Sequence, residues 1–87
     1  MLEEFVGEEV VVDLRSPYVC LGTLKRFDDI WLDLRNADLH DLRDTQTSRE
    51  LYVADSRATG VKRNRKRVLV LRAEIVAVAL LQDVVNE

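Results

Sequence analysis

Hydrophobic and polar positions alternate with a period of two through much of this chain, the signature of half-buried strands. Val10, Val12 and Leu14 fall on one side of a first run, with Val11, Asp13 and Arg15 on the other. That pattern predicts a strand with one buried face. Ser16-Pro17-Tyr18 follows as a turn, since proline fixes its own φ and gives no donor to a ladder. A second strand is predicted from about Val19 to Phe27. Val19 and Leu21 share a face, Leu24 has the opposite parity, and Gly22 stands between them. Glycine inside a strand marks a bulge or bend, which accounts for the switch. After a short turn at Asp28-Asp29, a third strand puts Ile30, Leu32 and Leu34 on one face. Ala37 and Leu39 then fall in a new phase, so this strand bends near Arg35-Asn36.

The remaining segments are less regular. Leu2, Phe5 and Val6 lie at helical spacing among glutamates, with Gly7 where a left-handed cap belongs, predicting a helix of one or two turns. Residues 43–65 are polar except for Leu51-Tyr52-Val53-Ala54, a pattern that fits a long variable loop or a strand-like arm projecting from the body. Two last strands, Arg67–Arg72 and Ile75–Leu81, join tightly at Ala73-Glu74. The final one is apolar throughout, so both its faces need cover. One small core cannot cover both faces of an edge strand, whereas a second subunit can, so self-association is expected. Arg72 interrupts the most apolar stretch, KRVLVLRAEIVAVALL. A buried unpaired guanidinium is costly, so Arg72 either ends the run or faces away from the core. Five short strands, two of them strongly bent, after a short helix predict a mainly β fold: a closed or nearly closed small barrel in one domain over residues 1–87.

Composition narrows the class. Of 87 residues, 47% are apolar and 33% charged, ordinary for a folded domain. The longest apolar run, Ile75 to Leu81, is far too short to cross a membrane as a helix, so no membrane partner is expected. The start, MLEEFVGEE, is acidic where a signal peptide is basic, and Cys20 is alone, so the cytoplasm is the expected location. The net charge of −3 is unevenly spread: residues 1–55 carry −7 and residues 56–87 carry +4. Arg57, Lys62, Arg63, Arg65, Lys66 and Arg67 follow one another with no acid between them. Such a run either attracts phosphates or is a solvated loop.

In this order, the segments resemble the Sm/LSm family of RNA-binding proteins, which includes bacterial Hfq. The first motif of that family is matched by Gly7, then VVVDL, then Gly22-Thr23-Leu24-Lys25-Arg26-Phe27-Asp28, then Leu32 to Ala37. The second is matched by Val70-Leu71-Arg72-Ala73-Glu74-Ile75-Val76. The likeness runs from residue 2 to about 82. Departures are visible too. Trp31 stands where the family has a base-binding asparagine, in a turn one residue shorter, and Ala73 replaces the glycine after the arginine. The Tyr-Lys-His signature of Hfq is absent.

The resemblance implies a short N-terminal helix and a strongly bent five-stranded antiparallel, SH3-like barrel. It also implies a ring of roughly five to seven copies, in which the fourth strand of one subunit pairs with the fifth of the next. Asp28, Ile30, Trp31, Arg72 and Ala73 would then gather at the pore and contact single-stranded RNA. Arg72 would either stack its guanidinium on a base or form an ion pair with Asp28 or Asp29. Trp31 shares a face with Asp33 and Arg35, and serves either as a stacking platform or as an aromatic at a subunit seam. Arg63, Arg65, Lys66 and Arg67 would supply phosphate contacts. Asp28 is expected to shape its own turn through local amides. His40 and Cys20 have no partners at ligand or nucleophile–base spacing, so neither an enzyme, a cofactor nor a metal is expected. The alternative is an oligomeric protein–protein scaffold of the same fold.

Overall fold

Alternation becomes five antiparallel strands in one sheet: β1 (Glu9–Leu14), β2 (Tyr18–Phe27), β3 (Trp31–Asp41), β4 (Arg65–Leu71) and β5 (Ile75–Leu80). The structure, a computed structural model, describes residues 1–44 and 46–85. Residues 45, 86 and 87, assigned from sequence to the connecting segment and the domain's tail, lie outside the described residues. The strands run in the order β4-β3-β2-β1-β5, so the sheet wraps round with its open seam between β4 and β5. The short leading helix is a single 3-10 turn, Leu2–Phe5, which packs Leu2 and Phe5 against the barrel interior. Gly7, at φ +88°, redirects the chain into β1.

Both bends fall where the parity of the sequence changes. The β2–β3 register shifts between Leu21 and Thr23, and Asn36 opposite takes a positive φ of 51°. Gly22 is required by close approach: a Cβ there would lie 3.0 Å from the Ala37 Cβ and 3.1 Å from the Arg35 carbonyl oxygen. Bending lets Val10, Val12, Cys20, Leu24, Leu32, Leu34, Ala37 and Val70 meet in one core. Burial and the neighbouring Asp38 push the Cys20 thiol up to about 12, so it packs as a small apolar group. Ile30 does not join this core. It lies before β3, 56% exposed, because the turn of Asp28 takes its amide.

The segment 43–65 corrects both expectations made for it. It is neither an open loop throughout nor a strand arm, since it holds the helix α1 (Arg49–Thr59). Ser48 caps its start, accepting the Leu51 amide on Oγ at 3.2 Å, and Gly60 ends it at φ +97°. Val53 of α1 packs with Val11, Val19, Leu21 and Leu81 in a second small core on the outer side of the sheet. Consequently β1 buries both faces, not one: Val11 is as deeply placed as its neighbours. Arg49 pairs with Asp13 at 2.7 Å, and Arg57 Nε donates to the Gln82 carbonyl at 3.2 Å. Tyr52 stacks on His40 with centroids 4.0 Å apart, which gives the lone histidine a packing role. Asn64 returns the chain to the sheet by imitating a strand, accepting the Leu39 amide and donating to the Leu39 carbonyl.

No helix among the described residues is long and apolar enough to cross a membrane. Among the described residues both edge strands, β4 and β5, lack a partner on one side, and β5 leaves Val76 67% exposed. Gly22→Ala should cost about 1–3 kcal/mol, because the backbone of Ala37 must yield to the new methyl. Urea unfolding measures this, and a variant as stable as the parent would refute the close-approach account.

Candidate nucleic-acid interface

The turn between β2 and β3 is tied by a single carboxylate. Asp28 Oδ1 accepts the amides of Ile30 at 2.8 Å and Trp31 at 2.7 Å, while the Asp28 amide donates to the Trp31 carbonyl. These amides, with the nearby Arg72 and Arg26 charges, lower the Asp28 pKa below its ordinary value. Three residues therefore suffice to reverse the chain, one of the local side-chain turns that aspartate favours. Ile30 and Trp31 stand exposed at its tip.

Arg72 docks onto this turn from the other end of the fold. It opens the 3-10 turn Arg72–Glu74 that joins β4 to β5. Its amide donates to the Ile30 carbonyl at 2.8 Å, and its Nη1 donates to the Asp28 carbonyl at 2.6 Å. The guanidinium carbon lies 5.9 Å from the centre of the Phe27 ring, within cation–π range. The sequence offered a base contact or an ion pair with Asp28 or Asp29. The observed partner is a main-chain oxygen, and Asp28 Oδ1 is taken by amides. Arg72 remains exposed, with no bonded acid among the described residues, and Ala73 lies exposed beside it.

Trp31 and Arg72 are brought close by the pairing of β3 with β4 but face different spaces. Arg72 lines an open groove of about 770 Å³ with Phe5, Phe27, Ile75 and Val76, at the mouth of the barrel. Trp31 pairs with Leu71 and lines a separate recess of about 420 Å³ on the convex face, with Arg26, Asp33, Arg67 and Leu69. The shared parity of Trp31, Asp33 and Arg35, read from the sequence, is what sends the indole there.

The basic run is also divided. Arg63, Arg65 and Lys66 line a recess beside Asn36, at the opposite end of β4 from the Arg72 turn. The length of β4 separates Arg65 from that turn by roughly 20 Å. Arg67 turns instead to Asp33, a residue that sequence reasoning missed. The Asp33 carboxylate is 4% exposed and accepts from Arg26 at 3.1 Å, from Arg35 at 3.0 Å and from Arg67 at 3.1 Å. These bonds hold its pKa far below the usual carboxylate range despite its burial. Among the described residues, no group of His, Cys, Asp or Glu gathers in a way that could hold a metal ion.

Two solved structures share this architecture. An Sm protein of Pyrococcus abyssii, determined in complex with a uridine heptamer, superposes with a TM-score of 0.63 at 14% identity, over 91% of this chain and 90% of that one. An Sm-like protein of Archaeoglobus fulgidus gives 0.61 at 17% identity, over 92% and 88%. The chain has the Sm-like fold. No protein-family profile and no curated protein sequence matches it. In this chain α1 lies between β3 and β4, and the convex Asp33 cluster is built on the three strands β2 to β4.

Asp33→Asn should lower stability at neutral pH by about 1–2 kcal/mol, a modest loss because its arginine partners are solvent-screened. The acid side has a definite sign. The folded-state pKa lies below the unfolded one, so this stabilisation is complete above about pH 4 and fades as pH falls further. Urea midpoints at pH 7 and pH 3 should therefore differ less in the variant than in the parent. An equal pH dependence would show that Asp33 is not an acid-sensitive tie.

Proposed function

We propose that this protein is a ring-forming Sm-like module that binds single-stranded RNA at its central opening. The observation that carries this reading is Arg72, anchored to the Asp28 carbonyl and the Phe27 ring yet left exposed with an unspent charge. A guanidinium fixed in this way is suited to stack on an unpaired base at low entropic cost. Ile30 and Ala73 frame it, Asp28 sets its turn, and Trp31 stands on the adjoining convex wall for a base that passes the rim. Arg63, Arg65, Lys66 and Arg67 give phosphate attraction along the flank. The uridine heptamer bound to the Pyrococcus Sm protein supports the ligand class.

Ring closure follows from the edges. An unpaired strand edge presents free amide and carbonyl groups, and proteins seldom leave one bare. Here β4 and β5 lie at opposite ends of the sheet order, so pairing β4 of one copy with β5 of the next satisfies both. Repetition of that head-to-tail contact closes a ring when the rotation allows, of roughly five to seven copies. The exposed Val76 is covered in the process. The work is binding, not catalysis, and the location proposed is the cytoplasm.

A protein–protein scaffold is the second reading, favoured by Leu69 and Leu71 lying exposed near Trp31. Oligonucleotide titration separates the two. Arg72→Ala should weaken binding of oligo-U at low salt by about tenfold or more, as loss of a stacked base contact implies. Absence of RNA binding by the parent, or indifference to Arg72→Ala, would favour the scaffold. Light scattering should give several copies per particle, and a single copy in dilute solution would refute the ring.

A further inference from the structure

Three strands each contribute an arginine to the Asp33 cluster: Arg26 from β2, Arg35 from β3 and Arg67 from β4. Arg26 lies opposite Asp33 in the register, and Arg35 lies opposite Arg67. Like charges directly across a strand pair repel, and Asp33, bonded to both Arg35 and Arg67, offsets that repulsion. One carboxylate serves three guanidiniums, which leaves the cluster with an excess of positive charge. Each guanidinium has five N–H groups. Arg26 commits one of them to Asp33, while Arg35 and Arg67 commit two each. The others have no bonded partner among the described residues, on side chains that remain 73%, 38% and 47% exposed. Asp33 therefore orients the cations without neutralising them.

We propose that the convex face of the sheet is a second RNA track, in which the arginines held by Asp33 seat backbone phosphates and Trp31 stacks a base. This rests on the reading of the chain as an RNA-binding module, and adds a surface distinct from the Arg72 corner. Charge complementarity chooses the occupant, since excess guanidinium beside an exposed indole matches a phosphate joined to a base. Guanidinium forks suit phosphate oxygens because two parallel N–H bonds can form at once. Trp31, 40% exposed, borders the same recess as Arg26, Arg67 and Leu69. Arg67 and Arg35 lie opposite one another and form the row nearest the recess, whereas Arg65, two residues along β4, lines the separate recess beside Asn36. Asp28 also borders the recess, but its carboxylate is turned to the Ile30 and Trp31 amides. A strand of RNA leaving the pore corner past Trp31 would reach this row directly.

The test compares a short oligo-U that can occupy only the corner with a longer single strand, using the full chain and three variants. These are Arg72→Ala, Trp31→Leu, and a double variant, Arg26→Gln with Arg35→Gln, which leaves Arg67 to hold Asp33. Unchanged thermal melting and particle mass establish that each variant is folded and assembled. The double variant should keep short-oligomer affinity but lose the extra affinity of the longer strand. Its slope of log affinity against log salt should fall by about 0.7 for each phosphate contact removed. Trp31→Leu should likewise weaken only the longer strand, and the parent's indole fluorescence should be quenched by it. If the double variant binds both lengths as the parent does while Arg72→Ala binds neither, the convex track is wrong and the pore corner stands. If Arg72→Ala changes nothing while the double variant loses RNA, the track stands and the corner reading fails. An acidic peptide that binds the parent as tightly as RNA, and in the same charge-dependent manner, would overturn nucleic acid as the occupant.

Discussion

Among the described residues, no acid is bonded to Arg72. In a chain that is acidic through its first half, and within hydrogen-bond reach of the Asp28 backbone, an arginine would ordinarily find a carboxylate. It does not because Asp28 Oδ1 already holds the amides of Ile30 and Trp31. That local turn has two effects at once. It narrows the β2–β3 connection so that its carbonyls face the β4–β5 connection, and it engages Asp28 Oδ1 with amides, so that Asp28 acts on Arg72 through its charge and not through a direct bond. The Arg72 guanidinium then anchors on the Asp28 carbonyl and the Phe27 ring, neither of which cancels its charge. A cation placed at the end of an apolar hairpin is thus rigid and still available.

The sheet beyond this corner is shaped by close approach. Gly22 permits β2 and β3 to cross within contact distance of Ala37, and Asn36 accepts the positive φ that the bend demands. Curvature gathers one core inside while leaving a convex face outside, and that outside face is used in two ways. Over β1 and β2 it is covered by α1, whose Val53 closes a second apolar cluster. Over β2 to β4 it carries Asp33 and its arginines in the open. Polar and apolar treatment of one convex surface follows from where the helix α1 lies.

Much of this was legible in the sequence, for identifiable reasons. Parity changes at Gly22 and Asn36 announced the bends, and a lone arginine in an apolar run announced an exposed corner. The all-apolar β5 announced an uncovered face, since alternation that fails on an edge strand needs an explanation outside the core. The helix α1 was not legible from hydrophobic periodicity, because its four apolar residues are contiguous and read equally as loop or strand. Ser48 and Gly60, its cap residues, were the available signals. The Asp33 cluster was hidden for a different reason. Arg26, Asp33 and Arg67 are distant in sequence, and only the strand register across two bulged pairs brings them together. The resemblance grouped Trp31 with Arg72, whereas the alternation of side chains along β3 sends the indole to the opposite side of the sheet.

The account stands or falls on whether RNA meets the corner where Arg72 is held. Photo-crosslinking of a 4-thiouridine oligomer to the assembled protein, with the modified peptides mapped by mass spectrometry, addresses this directly. Crosslinks should concentrate on the peptides that contain Phe27 to Trp31 and Arg72-Ala73. Efficient crosslinking confined to α1 or the N-terminal turn, with those two peptides unmodified, would contradict it.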